Sequence, residues 1–201
     1  MVFRRGYPRL QAHGRGTRFI MERKGDWAQT FTGKQFWPLD PKAEEVDLMD
    51  IAHSLASQPR FNGHCITFYS VAQHSVLVSK IVPPSQALAA LFHDASESYT
   101  GDIISPLKRF LPPEFKQIEL NIDHAIFKKF NIDIETIDHA AIKKADKIAL
   151  VTEMRDVMEK PPKKWNEDGL FEPSPEKIIP LPPQEAEKLF LERYEELTKN
   201  N

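Results

Sequence analysis

The chain has 201 residues, 41% of them hydrophobic and 28% charged, with a formal net charge of −2. That balance excludes a broadly basic nucleic-acid binder. A single cysteine, Cys65, excludes an internal disulfide framework and fits a reducing compartment. The apolar blocks are short, such as Ala87 to Phe92, far below the roughly 18 to 20 residues of a membrane span. A chain of this size buries about 70% of its unfolded surface and needs no staple to fold. The expectation is a cytoplasmic enzymatic domain that engages neither membrane nor nucleic acid.

Residues 1 to 24 carry Arg4, Arg5, Arg9, Arg15, Arg18, Arg23 and Lys24 against one acid, Glu22. Gly6, Pro8, Gly14 and Gly16 break any amphipathic helix there. This stretch reads as a disordered basic extension, or as the product of an upstream start with Met21 as the usual beginning. Short strand-like pieces near Phe31 to Trp37 and Cys65 to Tyr69 allow a small hairpin near the start of the fold.

The rest reads as helices. Leu48, Ile51 and Leu55 recur at helical spacing between Asp47 and Ser57, with Asp47 as N-cap. Ser70 followed by Gln73 is a capping-box pattern opening a helix through Val71, Leu77, Val78 and Ile81, which Pro83 and Pro84 end. Ser85 is placed to cap a third helix from Ala87 to about Ser98, with Leu88, Leu91, Phe92 and Ala95 facing the core. Gly101 and a loop through Pro106, Pro112 and Pro113 follow, and Pro113 suits the first position of a fourth helix carrying Ile118, Ile122, Ile126 and Phe130. A fifth pattern runs from Thr136 to Glu159. Seven of the sixteen prolines then fall within residues 160 to 183, marking an ordered wrap. A last helix spans Pro183 to Thr198. The architecture predicted is an all-α bundle.

Four ionisable residues interrupt apolar faces: His74 in the second helix, His93 and Asp94 near the end of the third, and Asp146 in the fifth. Singly, each has an ordinary explanation as a hydrogen-bonded or solvated side chain. Together, two imidazoles and two carboxylates from three helices make a ready site for a divalent cation, since such groups are rarely buried unpaired. Bundles commonly build metal sites from facing helices. On a continuous third helix, Glu97 would share a face with His93 and Asp94 at i+4 and i+3.

The order His, His-Asp, Asp resembles the HD superfamily of metal-dependent phosphohydrolases. The surroundings make the resemblance specific. His93-Asp94-Ala95-Ser96-Glu97, Thr100-Gly101-Asp102 and Ser105-Pro106-Leu107-Lys108 are similar to bacterial HD-domain 5'-deoxynucleotidases, and Lys144-Ala145-Asp146-Lys147 is similar to the last ligand motif. Phe36-Trp37-Pro38-Leu39-Asp40-Pro41, Asp50-Ile51-Ala52-His53, Arg60-Phe61-Asn62-Gly63 and Tyr69-Ser70-Val71-Ala72-Gln73-His74 are similar to compact bacterial and phage HD nucleotide hydrolases. The similarity runs from about Phe31 to Asp156. It implies residues 25–159 as the HD domain, with 160–201 as a wrap and helix packed on it.

The resemblance implies His74, His93, Asp94 and Asp146 as ligands of one divalent ion, with Mn, Co, Ni, Fe and Zn all compatible with the donor set. Glu97 and Asp102 become the proton-handling pair, and Arg60 the phosphate-binding arginine. Phe61 and Asn62 match a sugar-sensing wall, and Lys108 is a basic residue at the mouth. The reaction implied is hydrolysis of a deoxynucleoside 5'-monophosphate by a metal-activated water. A deoxynucleoside triphosphate triphosphohydrolase and a non-catalytic nucleotide sensor are the alternatives. A homodimer follows from the resemblance alone. His124 and His139 lie where some relatives place ligands to a second metal; one metal is the preferred reading, with His53 packing nearby and His64 in a loop.

Overall fold

The computed structural model describes residues 23–167 and 169–199. Most of the basic stretch, residues 1–22 with Met21, therefore lies outside the described residues. Arg23, its near-last member, is tied into the fold. It pairs with Asp40 and Glu45 and lies 4.9 Å from the Trp37 ring.

A hairpin of β1 (Ala28–Gln29) and β2 (Gln35–Phe36) comes first, antiparallel with Ala28 opposite Phe36. Its turn is pinned by Thr32, whose amide and hydroxyl donate to the buried carboxylate of Asp50 at 2.6 and 3.0 Å. Among the described residues eight α-helices follow: α1 (Leu48–Ser57), α2 (Val71–Ile81), α3 (Ala87–Leu91), α4 (Glu97–Thr100), α5 (Ser105–Lys108), α6 (Pro113–Lys129), α7 (His139–Asp156) and α8 (Pro183–Thr198). The all-α expectation with a small hairpin holds.

The start signals act largely as read. Asp47 accepts from the Met49 amide and Ser70 from the Gln73 amide. Pro113 opens α6. The α7 boundary is tighter than its periodicity, because the Asp138 side chain caps at the Ala141 amide. Two local expectations fail. Ser85 does not cap; it lies inside a 3₁₀ turn, Pro84–Gln86, that leads into α3. The third helix does not run unbroken to Ser98. The His93 ring takes the Ala90 carbonyl at 2.8 Å, in competition with the helical ladder, and tight bonds follow from Ala95 to Phe92 and from Glu97 to Asp94. His93 and Asp94 thus sit in a turn between α3 and α4, and the same-face argument for Glu97 does not apply.

The main core joins Ile51 and Leu55 of α1, Val71 and Val76 of α2, Leu91 and Phe92, Ile122 and Ile126 of α6, and Ala186 and Phe190 of α8, all essentially buried. Phe92 stacks on Phe130 at 4.6 Å and meets Phe190 and Tyr194 edge-on. Aromatic pairs in these geometries add about 0.5–1.5 kcal/mol beyond area burial. Between α7 and α8 the proline-rich segment is stitched back onto the bundle. Thr152 accepts from the Ser174 amide, Arg155 donates to the Ser174 and Glu176 carbonyls, and Asp156 accepts from the Ile178 amide. Gln73 holds both Ile179 and Leu181. The Gln73 side chain therefore binds this segment instead of closing the capping box onto Ser70.

Candidate active site

The four predicted ligands arrive from α2, the α3–α4 turn and α7. His74 Nε2 lies 3.5 Å from Asp94 Oδ2 and 3.4 Å from Asp146 Oδ1, and His93 Nε2 lies 3.2 Å from Asp94 Oδ2. Donor atoms of His74, His93 and Asp94 all fall within 4.8 Å of one another. The two imidazoles are held from behind: His74 Nδ1 meets Glu153 at 2.6 Å, and His93 Nδ1 donates to the Ala90 carbonyl at 2.8 Å. Both Nε2 atoms are buried with no hydrogen-bond partner. This is what a nitrogen-and-oxygen donor set for a cation requires, with each ring's second nitrogen fixed by an outer partner. The residues present fit the divalent ion.

Electrostatics divide the acids into two groups. Burial opposes ionisation of Asp94, yet His93, His74 and Arg60 hold it well below the usual carboxylate range. Asp146 is lowered despite burial by His74, and Glu153 by Arg60 and His74. Glu97 goes the other way: burial, then Asp94 and Asp102, push it up to about 9. Burial also raises Asp102, against the pull of Arg60. Burial and Arg60 disfavour the His74 cation, but Glu153 and Asp146 outweigh them and push it up to about 10. A cation at Nε2 would take that proton's place, so metal and proton compete for the site.

Arg60 reaches the same cluster, with a terminal nitrogen 3.2 Å from Glu153 and another 3.9 Å from Asp102. Its Nε is buried and unpaired. Phe61 and Asn62 follow with φ of 52° and 54°, and Gly63 with 82°, a left-handed turn. Strained backbone of this kind concentrates at functional sites. Phe61 is half-buried against Arg60, whereas Asn62 is exposed. Lys108 Nζ ends 2.8 Å from Glu119 and 3.5 Å from Glu97. A cavity of about 140 Å³ beside the ligands is lined by His93, Asp94, Glu97, Lys108, Glu119 and Asp123, among others.

Two further residues, Glu153 and Gln58, support the cluster. Glu153 lies seven positions after Asp146 on α7, hence on the same face; that spacing was the available signal. Gln58 bridges Glu97 and Asp102, donating to the Glu97 carbonyl and accepting from the Asp102 amide. It ends α1, and no sequence pattern marks it. His124 and His139 are exposed and do not join the cluster, while His53 stacks on Phe31 at 3.7 Å and binds Glu187. His64 is exposed. A larger cavity of about 450 Å³, lined by Phe31, Asp50, His53 and Tyr99 among others, shares none of the ligand residues.

Comparison with known proteins decides the family. Residues 61–160 match the 5'-deoxynucleotidase YfbR-like family. A relative from Escherichia coli K12, the uncharacterised protein YfdR, is 40% identical over 179 residues, 85% of this chain and 95% of its own. The chain belongs to the YfbR-like 5'-deoxynucleotidase family. An uncharacterised protein of Rhodobacter capsulatus is 33% identical over 135 residues, 63% of this chain and 68% of its own. A 5'-deoxynucleotidase of Vibrio cholerae is 34% identical over 88 residues, 42% of each chain. The YfbR-like match spans His74, His93, Asp94 and Asp146, and also Glu97, Asp102 and Glu153. It places the chain among HD-type phosphohydrolases, metal-dependent enzymes. Among the described residues no helix is long and apolar enough to cross a membrane.

Proposed function

We propose that this protein hydrolyses deoxynucleoside 5'-monophosphates to nucleoside and phosphate. The observation that carries the reading is the pair of buried, unpaired Nε2 atoms of His74 and His93 facing Asp94, with Asp146 beside them and Arg60 one carboxylate away. A divalent ion held by these four residues would acidify a water and offset charge on the phosphate. One Arg60 terminal nitrogen donates to Glu153 and the other lies 3.9 Å from Asp102, beyond hydrogen-bond reach, so N–H groups of the guanidinium, Nε among them, remain to donate to a phosphate oxygen. Glu97 Oε2 is buried and unpaired, and burial together with the nearby Asp94 and Asp102 carboxylates favours its protonated form. As a water oxygen bonds to phosphorus in line and the bond from phosphorus to O5' breaks, that proton passes to O5' and Asp102 accepts one from the water.

The fate of Lys108 favours a monophosphate over a triphosphate. Its ammonium is occupied by Glu97 and Glu119, so it is not left over for a longer phosphate chain. Product analysis tests the reading: the Mn- or Co-loaded protein is incubated with ribo- and deoxynucleoside mono- and triphosphates, with Asp94→Ala as control. Nucleoside and phosphate from the deoxymonophosphates are expected. Nucleoside and tripolyphosphate would move the protein to the triphosphohydrolase reading, and absence of any metal-dependent product would leave the fold standing and remove the nucleotide-hydrolase reading.

A further inference from the structure

Trp165 lies in the proline-rich segment, and no sequence motif singled it out. Its ring centroid is 5.9 Å from that of Phe61, tilted by 59°. Phe61 in turn lies over Arg60, whose Cζ is 5.2 Å from the ring. Arg60 touches Glu153 and Glu153 touches His74, so the aromatic pair stands at the rim of the candidate active site. Both rings are half-buried, while Lys163, Lys164 and Asn166 around Trp165 are exposed. A large ring turned inward from a polar run needs a reason, and no core cluster of the bundle includes it.

The position of Trp165 is fixed from two sides. Glu167 pairs with Lys147 at 3.0 Å, and Lys147 follows Asp146 on α7. On the other side, Phe61 is set by the left-handed turn through Gly63. The two rings therefore approach from separate elements, one anchored beside a ligand carboxylate and the other beside the phosphate-facing guanidinium.

We propose that Trp165, braced by Phe61, forms an aromatic platform for the nucleoside half of the substrate, with the base stacking on the indole. The inference rests on the nucleotide reading above. Every nucleobase offers a π-face, so stacking on an indole gives affinity with little base preference. Trp165 is then a binding determinant with no part in bond cleavage.

The test uses the metal-loaded full chain with deoxynucleoside monophosphates and with deoxyribose 5-phosphate, which lacks the base. Trp165→Ala is expected to raise KM for the nucleotides roughly tenfold or more, with kcat within about threefold and the KM for deoxyribose 5-phosphate unchanged. Trp165→Phe should recover most of the loss. Nucleotide binding should quench tryptophan fluorescence in the wild type and not in Trp165→Phe, which separates a stacking role from a merely structural one. An unchanged nucleotide KM in Trp165→Ala, or an equal rise for deoxyribose 5-phosphate, overturns the stacking platform while leaving the hydrolase reading intact. A wild type that turns over no nucleotide and shows no quenching overturns both.

Discussion

Glu153 Oε1 lies 2.6 Å from His74 Nδ1, and both side chains are wholly buried. The same carboxylate meets Arg60 through its other oxygen at 3.2 Å. One acid on α7 thus orients the His74 imidazole and offsets the charge of the Arg60 guanidinium. Outer partners of this kind are worth about 10- to 100-fold in metal affinity. Glu153→Gln should weaken Mn or Co binding by that factor in calorimetric titration. Glu153→Ala leaves Arg60 buried against fewer charges and should cost about 3–5 kcal/mol in urea unfolding.

The raised groups set a pH dependence for the metal-free protein. Glu97 holds its proton to about 9 in the fold against 4.5 for an unperturbed glutamate, so the unfolded chain releases that proton first and stability falls as pH rises from 4.5 to 9. His74, raised from 6.5 to about 10, adds stability below 6.5 that is lost as pH climbs to 10. The two act in the same direction. In EDTA, the melting temperature should therefore fall between pH 5 and 9, with a shallower slope in Glu97→Gln. Saturating Mn should flatten or reverse the slope, because metal binding displaces the proton.

Phe190 is fully buried on α8 and meets Phe92 at 5.9 Å, one residue before His93. Phe190→Ala removes a large core side chain and should cost about 3–5 kcal/mol. Chemical denaturation measures the loss. At temperatures where the variant stays folded, its kcat should remain close to wild type, since Phe190 lines no part of the site.

Asn62 occupies the left-handed region at φ 54° with its side chain exposed. Asn62→Gly should be neutral or slightly stabilising, whereas Asn62→Val should cost about 1–2 kcal/mol, a backbone penalty for a β-branched residue. The same pair checks the sugar-sensing expectation. If Asn62 senses the 2' position, Asn62→Gly shifts the ratio of ribo- to deoxynucleotide turnover; an unaltered ratio removes Asn62 from the wall.

Much of this was legible because it is local. Asp47, Ser70 and Pro113 mark helix starts within a few residues of where they act, and the four-residue spacing of Ile118, Ile122 and Ile126 reports the core-facing side of α6. The clustering of His74, His93, Asp94 and Asp146 was legible because buried ionisable residues in apolar surroundings are costly and need a reason. What escaped depends on side chains acting against the periodic pattern. The His93 ring captures the Ala90 carbonyl and ends α3 early, and Gln58 reaches from the end of α1 to Glu97 and Asp102. Lys108 turns to Glu97 and Glu119, a choice that spacing does not encode.

The stitching of the proline-rich segment separates two boundaries that are easily conflated. The family match stops at residue 160, yet Gln73, one residue before His74, spends both ends of its amide on Ile179 and Leu181. Beyond that segment, Ala186 and Phe190 fill the core against α1 and α2. A protein cut at residue 159 would keep His74, His93, Asp94 and Asp146 and lose the segment that ties α2 to α7. Such a fragment is expected to be a poor metal binder for reasons of folding alone, so the smallest cooperative unit extends through α8.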